Sequence, residues 1–113
     1  MRINYHDRKF KVVSNSENGE LSENQIFVYQ QKGNVLTCNY GNTNILSGHI
    51  LGIVNDDDSI DISYHQINVA HELKTGICHS IPEILPSGKI KINETWKWTS
   101  GDFSEGFTTL EEE

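Results

Sequence analysis

The chain has 113 residues, the size of one ordinary domain, and only 35% of them are hydrophobic. Sixteen acidic residues against nine Lys and Arg give a formal net charge of −7, which repels phosphate backbones and argues against a nucleic-acid role. No apolar run is long enough to cross a membrane as a helix, and the first ten residues lack an apolar signal core, so one cytoplasmic domain spanning residues 1–113 is expected.

Turn signals follow one another closely: Asn18-Gly19, Lys32-Gly33-Asn34, Tyr40-Gly41-Asn42, Asn55-Asp56-Asp57-Asp58, Pro86-Ser87-Gly88 and Ser100-Gly101-Asp102. The segments between them are rich in β-branched and aromatic residues and show no 3.6-residue apolar stripe. They predict eight strands, at about 8–14, 25–31, 34–40, 45–54, 59–68, 74–81, 89–99 and 105–111. Val69–Lys74 reads as a hairpin connection. Every connection is short enough to join antiparallel neighbours. The expected fold is therefore all-β, an up-and-down antiparallel barrel that hides its edges by closing, with a two-layer sandwich as the competing arrangement. An eight-stranded barrel has room for side chains or for one small ligand.

Along the chain, Cys38 comes first among the reactive residues. It lies forty positions from Cys78, in no zinc or Cys-x-x-Cys spacing, so two buried thiols are expected rather than a disulfide. The fourth strand carries apolar residues on both faces, and its facing stays open. Its Gly48 and Gly52 mark curvature or close approach of a neighbour. Asp56–Asp58 reads as solvated turn charge, without the spacing of a calcium loop. In the fifth strand Ile60, Ile62, Tyr64 and Gln66 form the more apolar set, which offers a hydroxyl and an amide to the interior.

The stretch Lys89–Thr99 alternates strictly. Lys89, Lys91, Asn93, Thr95, Lys97 and Thr99 make a wet face. Ile90, Ile92, Glu94, Trp96 and Trp98 therefore face the core. A carboxylate there must be paired or hydrogen-bonded. Pro86 and Gly88 suit a three-residue loop, which fixes the register of the preceding strand. Pro82 then faces Ile92, Ser80 faces Glu94, Cys78 faces Trp96 and Gly76 faces Trp98, leaving room for an indole. A two-residue loop would flip the sixth strand and turn Ile77, His79 and Ile81 inward.

The segments Val13–Glu20, Cys78–Lys89 and Glu94–Asp102 resemble a family of short bacterial proteins labelled N-acetylglutamate synthase, along nearly the whole chain. The fold this resemblance implies is a small antiparallel barrel like avidin or the lipocalins. The activity its label implies is acetyl transfer. Gln30-Gln31-Lys32-Gly33-Asn34 is the nearest fragment to a pyrophosphate-cradling loop, but it lacks the spacing and the following helix that such a loop needs.

The site expected from the residues is a ligand cavity lined by Glu94, Trp96, Trp98, Tyr64, Gln66, Cys78 and Ser80, with indoles against an apolar body and Glu94 orienting a polar group. The plainer reading is a core network in which Glu94 bonds to Tyr64, Ser80 or Arg8. Glu94 as a general acid lacks a partner base. Cys78 lacks a cationic partner that would make it a nucleophile. His49, His65 and His79 would bind zinc only if all three faced one side. No haem-attachment motif is present. The expected function is the binding of an unidentified small molecule, with no catalytic residue, cofactor or metal, no membrane partner and a possible homo-oligomeric state. The alternatives are an acetyltransferase and a filled barrel acting through its surface.

Overall fold

The computed structural model of the protein describes residues 3–16 and 25–113; the turn expected at Asn18-Gly19 lies outside them. Nine antiparallel strands are formed: β1 Lys9–Asn15, β2 Ile26–Val28, β3 Gln30–Lys32, β4 Val35–Tyr40, β5 Ile45–Val54, β6 Ile60–Asn68, β7 Leu73–Ile84, β8 Ile90–Trp98 and β9 Glu105–Glu112. They make one sheet in the order β2-β1-β9-β8-β7-β6-β5-β4-β3. Because β2 and β3 follow one another in the chain, the sheet curls into a nearly closed up-and-down barrel. The sandwich alternative is thereby discarded.

The continuous strand expected at 25–31 is two strands. Ile26–Val28 pairs with β1 and Gln30–Lys32 pairs with β4. The change of partner falls at Tyr29, whose amide still bonds to the Arg8 carbonyl at 3.0 Å. The segment that seams a barrel serves a neighbour on each side, and periodicity does not show where it changes hands. The sixth expected strand is also longer than read, running from Leu73 to Ile84 as β7.

The β7–β8 hairpin has the three-residue loop. Gly88 takes φ +86°, its amide bonds to the Leu85 carbonyl at 2.9 Å, and Leu85 N–H bonds to the Lys89 carbonyl at 2.8 Å. Ser80 lies opposite Glu94, Cys78 opposite Trp96 and Gly76 opposite Trp98. Ile77 and Ile81 are more than half exposed, so the flipped register is excluded. The facing of β5 is settled as well: Gly48, Ile50, Gly52 and Val54 are buried, and a bulge between Ile45 and Ser47 keeps Ile45 inward too.

The barrel is filled at one end and hollow toward the other. Phe10, Leu36, Val54, Ile60, Ile90, Ile92 and Leu110 are buried at the filled end. The chain before β1 plugs it. Tyr5 is fully buried and donates its hydroxyl to the Asp58 carbonyl at 2.6 Å, while Ile3 N–H donates to the Asp58 carboxylate at 2.7 Å. Part of the acidic run at 56–58 is thus a fastening for this plug, not only solvated charge. Arg8 makes a two-pronged bond to Glu112, at 2.9 and 3.1 Å, and so is not the partner of Glu94.

Candidate functional site

The hollow end holds a partly open cavity of about 50 Å³, several times the roughly 10–15 Å³ that one water needs. Six of the seven expected residues line it: Tyr64, Gln66, Cys78, Glu94, Trp96 and Trp98. Ser80 stands behind them, fully buried in the wall, and donates to Glu94 Oε2 at 2.8 Å. Sequence reasoning missed Asn15, Phe27, Tyr29, Tyr40, Ile50, Ile62 and Thr108 in the lining. Thr108 carried a signal, since it precedes Leu110 by two and shares its inward parity. Tyr29 and Tyr40 gave a weaker one, because their strands are short and one of them is broken.

Glycines shape this end of the barrel. Gly48, Gly76 and Gly106 lie directly opposite Tyr40, Tyr64 and Trp96 on neighbouring strands. In each pair the ring lies over the glycine, and an added Cβ would meet the ring. Gly76 therefore makes room for Tyr64, not for the Trp98 indole across β7–β8 as expected. The rings that these gaps admit stand edge to face. Tyr64 meets Trp98 at 5.5 Å and 66°, Trp96 meets Trp98 at 5.7 Å and 63°, and Phe27 meets Tyr40 at 5.1 Å and 66°. Such edge-to-face packing is the favoured aromatic geometry.

Polar groups of the lining are held in short bonds. Tyr40 donates its hydroxyl to Gln66 Oε1 at 2.6 Å. Trp96 Nε1 donates to the Thr108 hydroxyl at 2.9 Å, and Thr108 donates in turn to Asn15 Oδ1 at 2.6 Å. These bonds fix an indole and a phenol in place. Two groups are left differently. The Tyr29 hydroxyl is fully buried and has no hydrogen-bond partner among the described residues. Glu94 lines the cavity and is partly exposed to it, with the barrel wall crowding its carboxyl. Its partners are the hydroxyl of Ser80 and the thiol of Cys78, and no Lys, Arg or His among the described residues pairs with it. Burial pushes its carboxyl up from about 4.5 to about 7, against the pull of those two bonds.

The remaining candidates separate. Cys38 and Cys78 are free thiols. Burial, with Glu94 adding to it, raises the Cys78 thiol well above its ordinary value, the opposite of an activated nucleophile. His49 and His65 stack across β5–β6 at 5.3 Å, on the outer face, whereas His79 bonds to Asp61 at 2.7 Å. The three histidines do not converge, and no group of three metal-binding side chains occurs among the described residues.

A family model described as Avidin-like protein matches residues 3–113, and the chain belongs to that family. No curated protein and no solved structure matches it.

Proposed function

We propose that this avidin-like barrel binds one small, partly apolar molecule in its lumen. Trp96, Trp98 and Tyr64 supply the walls, Glu94 orients the polar part, and Gln66, Cys78 and Ser80 hold the frame around it. The observation that carries this reading is a hollow lined with rings in which the Glu94 carboxyl has no counter-charge and the Tyr29 hydroxyl no hydrogen-bond partner among the described residues. A barrel built only to pack would fill this space or pair these groups. Eight-stranded barrels have interiors suited to one small ligand. Family membership supports the same reading. Acetyl transfer finds no support: Gln30–Lys32 is a strand and Gly33-Asn34 a hairpin turn, so no helix start gathers amides for a pyrophosphate.

Native mass spectrometry of freshly purified protein tests the proposal. The expected result is a fraction of molecules carrying one additional small mass that is lost when Trp98 is replaced by Ala. Protein that carries nothing, and whose tryptophan fluorescence is unmoved by extracts rich in small molecules, would refute it.

A second reading concerns the outer wall and is favoured by its apolar surface. Leu51, Ile53 and Ile77 are 50–54% exposed and line one open outer depression with Val35. A face of this kind suits self-association. Sedimentation velocity should show concentration-dependent dimers or larger species that Ile77→Lys abolishes; an unchanging monomer would dismiss it.

A further inference from the structure

We infer that the molecule taken by this lumen is an organic cation, an ammonium or alkylated ammonium head set among Trp96, Trp98 and Tyr64 with Glu94 as its counter-ion. The inference rests on the lumen being a ligand site and goes on to name what class of ligand it takes.

Three observations lead to it. Glu94 is the one carboxyl in the described lining, and that lining contains no Lys, Arg or His. An anionic ligand would meet a like charge within this lining, where the cation standing by, Lys74, is already held over the Trp98 ring. A buried carboxylate without a counter-charge is costly, and a bound cation would remove that cost. Next, Trp96, Trp98 and Tyr64 line the same cavity as this acid and stand at 63–66° to one another, so rings of differing orientation border one space. Ring faces attract cations, indoles most strongly. Trp98 already does so in this molecule: Lys74 Nζ stands 4.3 Å from the centre of its ring. Finally, the Tyr29 hydroxyl offers oxygen lone pairs with no donor among the described residues, and the net charge of −7 draws cations toward the barrel.

The pH behaviour follows from the titratable groups around Glu94. Cys78 on β7 and Tyr29 between β2 and β3 interact with it, Cys38 on β4 interacts with Tyr29, Tyr40 and Tyr64 line the same cavity, and Lys74 on β7 stands over Trp98. Burial raises both thiols and the Tyr29 phenol above their ordinary values, so these three stay neutral where Glu94 titrates. A cation favours ionised Glu94. Affinity should therefore rise about tenfold per pH unit below neutrality and level off above it.

Choline, its neutral isostere 3,3-dimethylbutan-1-ol and the smaller methylammonium ion provide the test, titrated into the full chain by calorimetry and tryptophan fluorescence at about pH 5.5 and pH 8. At the higher pH at least one cation should bind tenfold or more tighter than the alcohol. At the lower pH its affinity should fall by about tenfold or more. In Glu94→Gln the preference and the pH dependence should both vanish, with the thermal transition confirming that the variant folds; if it does not fold, the isostere and pH comparisons on the unaltered chain still decide. Equal binding of alcohol and cations, or binding of the alcohol alone, would overturn the cation inference and leave the lumen a small-molecule site. No binding of either cation, together with a neutral or anionic molecule carried through purification, would also overturn it. No binding of any probe and no carried molecule would overturn both.

Discussion

At the scale of single residues, Glu94 decides most. Its inward position was legible because residues 89–99 alternate without a break, and its partner Ser80 was legible because Pro86-Ser87-Gly88 selects one loop length. Its lack of a counter-charge was not legible: Arg8 was a candidate partner until the plug segment tied it to Glu112. The stability consequence has a definite sign. With the folded-state carboxyl at about 7 against about 4.5 for a free one, the folded state holds this proton more tightly than the unfolded chain. The stability this contributes is fully present below about pH 4.5 and is lost as pH rises through about 7. The whole effect is up to about 3 kcal/mol, less where water in the lumen solvates the carboxylate. Glu94→Gln should remove this component, so its thermal transition should lose less between pH 5 and pH 8 than that of the unaltered chain. Parallel curves for the two proteins in differential scanning calorimetry would contradict the enclosure of Glu94.

Gly76 makes a second residue-scale case. Adding one methyl there drives Cβ into the Tyr64 ring. Gly76→Ala should cost about 1–3 kcal/mol by overpacking and reorient Tyr64, with a change in near-ultraviolet circular dichroism. A variant as stable as the parent, with an unchanged aromatic signal, would show that the ring does not need the gap. The pairing of Tyr40, Tyr64 and Trp96 with three facing glycines could not be read from the chain, because a glycine in a strand announces only that something comes close.

At the scale of elements, strands with one wet face were readable and the seam was not. β6 and β8 alternate cleanly, and their inward sets are those observed. The segment expected as one strand at 25–31 is short, and its two halves answer to different neighbours, so its Tyr29 was missed as part of the lining. The hairpin turn offers a prediction at this scale. Gly88 at φ +86° holds a conformation that costs an L-residue about 1–2 kcal/mol. Gly88→Ala should lower stability by that amount in urea titrations while leaving the lumen untouched, since Gly88 lies at the far end of the hairpin from Trp98. A loss of probe binding in a variant that remains folded would show that the loop sets the lumen's shape after all.

At the scale of the whole molecule, the architecture follows from composition. A chain with 35% hydrophobic residues cannot fill a broad interior. It places its apolar side chains at one end, closes that end with Ile3 and Tyr5, and leaves the other end hollow. The avidin-like barrel could be anticipated from turn spacing and motif resemblance, whereas the synthase label that came with the resemblance finds no support. The hollow could not be anticipated, because its volume depends on how six aromatic side chains and three glycines settle together. The isolated chain is expected to show no saturable micromolar binding of acetyl-CoA in calorimetric titration, and such binding would restore an enzymatic reading.

The account turns on an enclosed carboxyl that lacks a counter-charge among aromatic rings, and the titration of Glu94 itself tests that most directly. Carboxyl-carbon NMR of the labelled protein, with Glu94 assigned by its absence from the Glu94→Gln spectrum, should show one glutamate with a midpoint near pH 7, moving downward when a cationic ligand is added. A Glu94 midpoint at about 4.5 would mean that the group is solvated or already paired, and the lumen would then have no unmet charge for a ligand to answer.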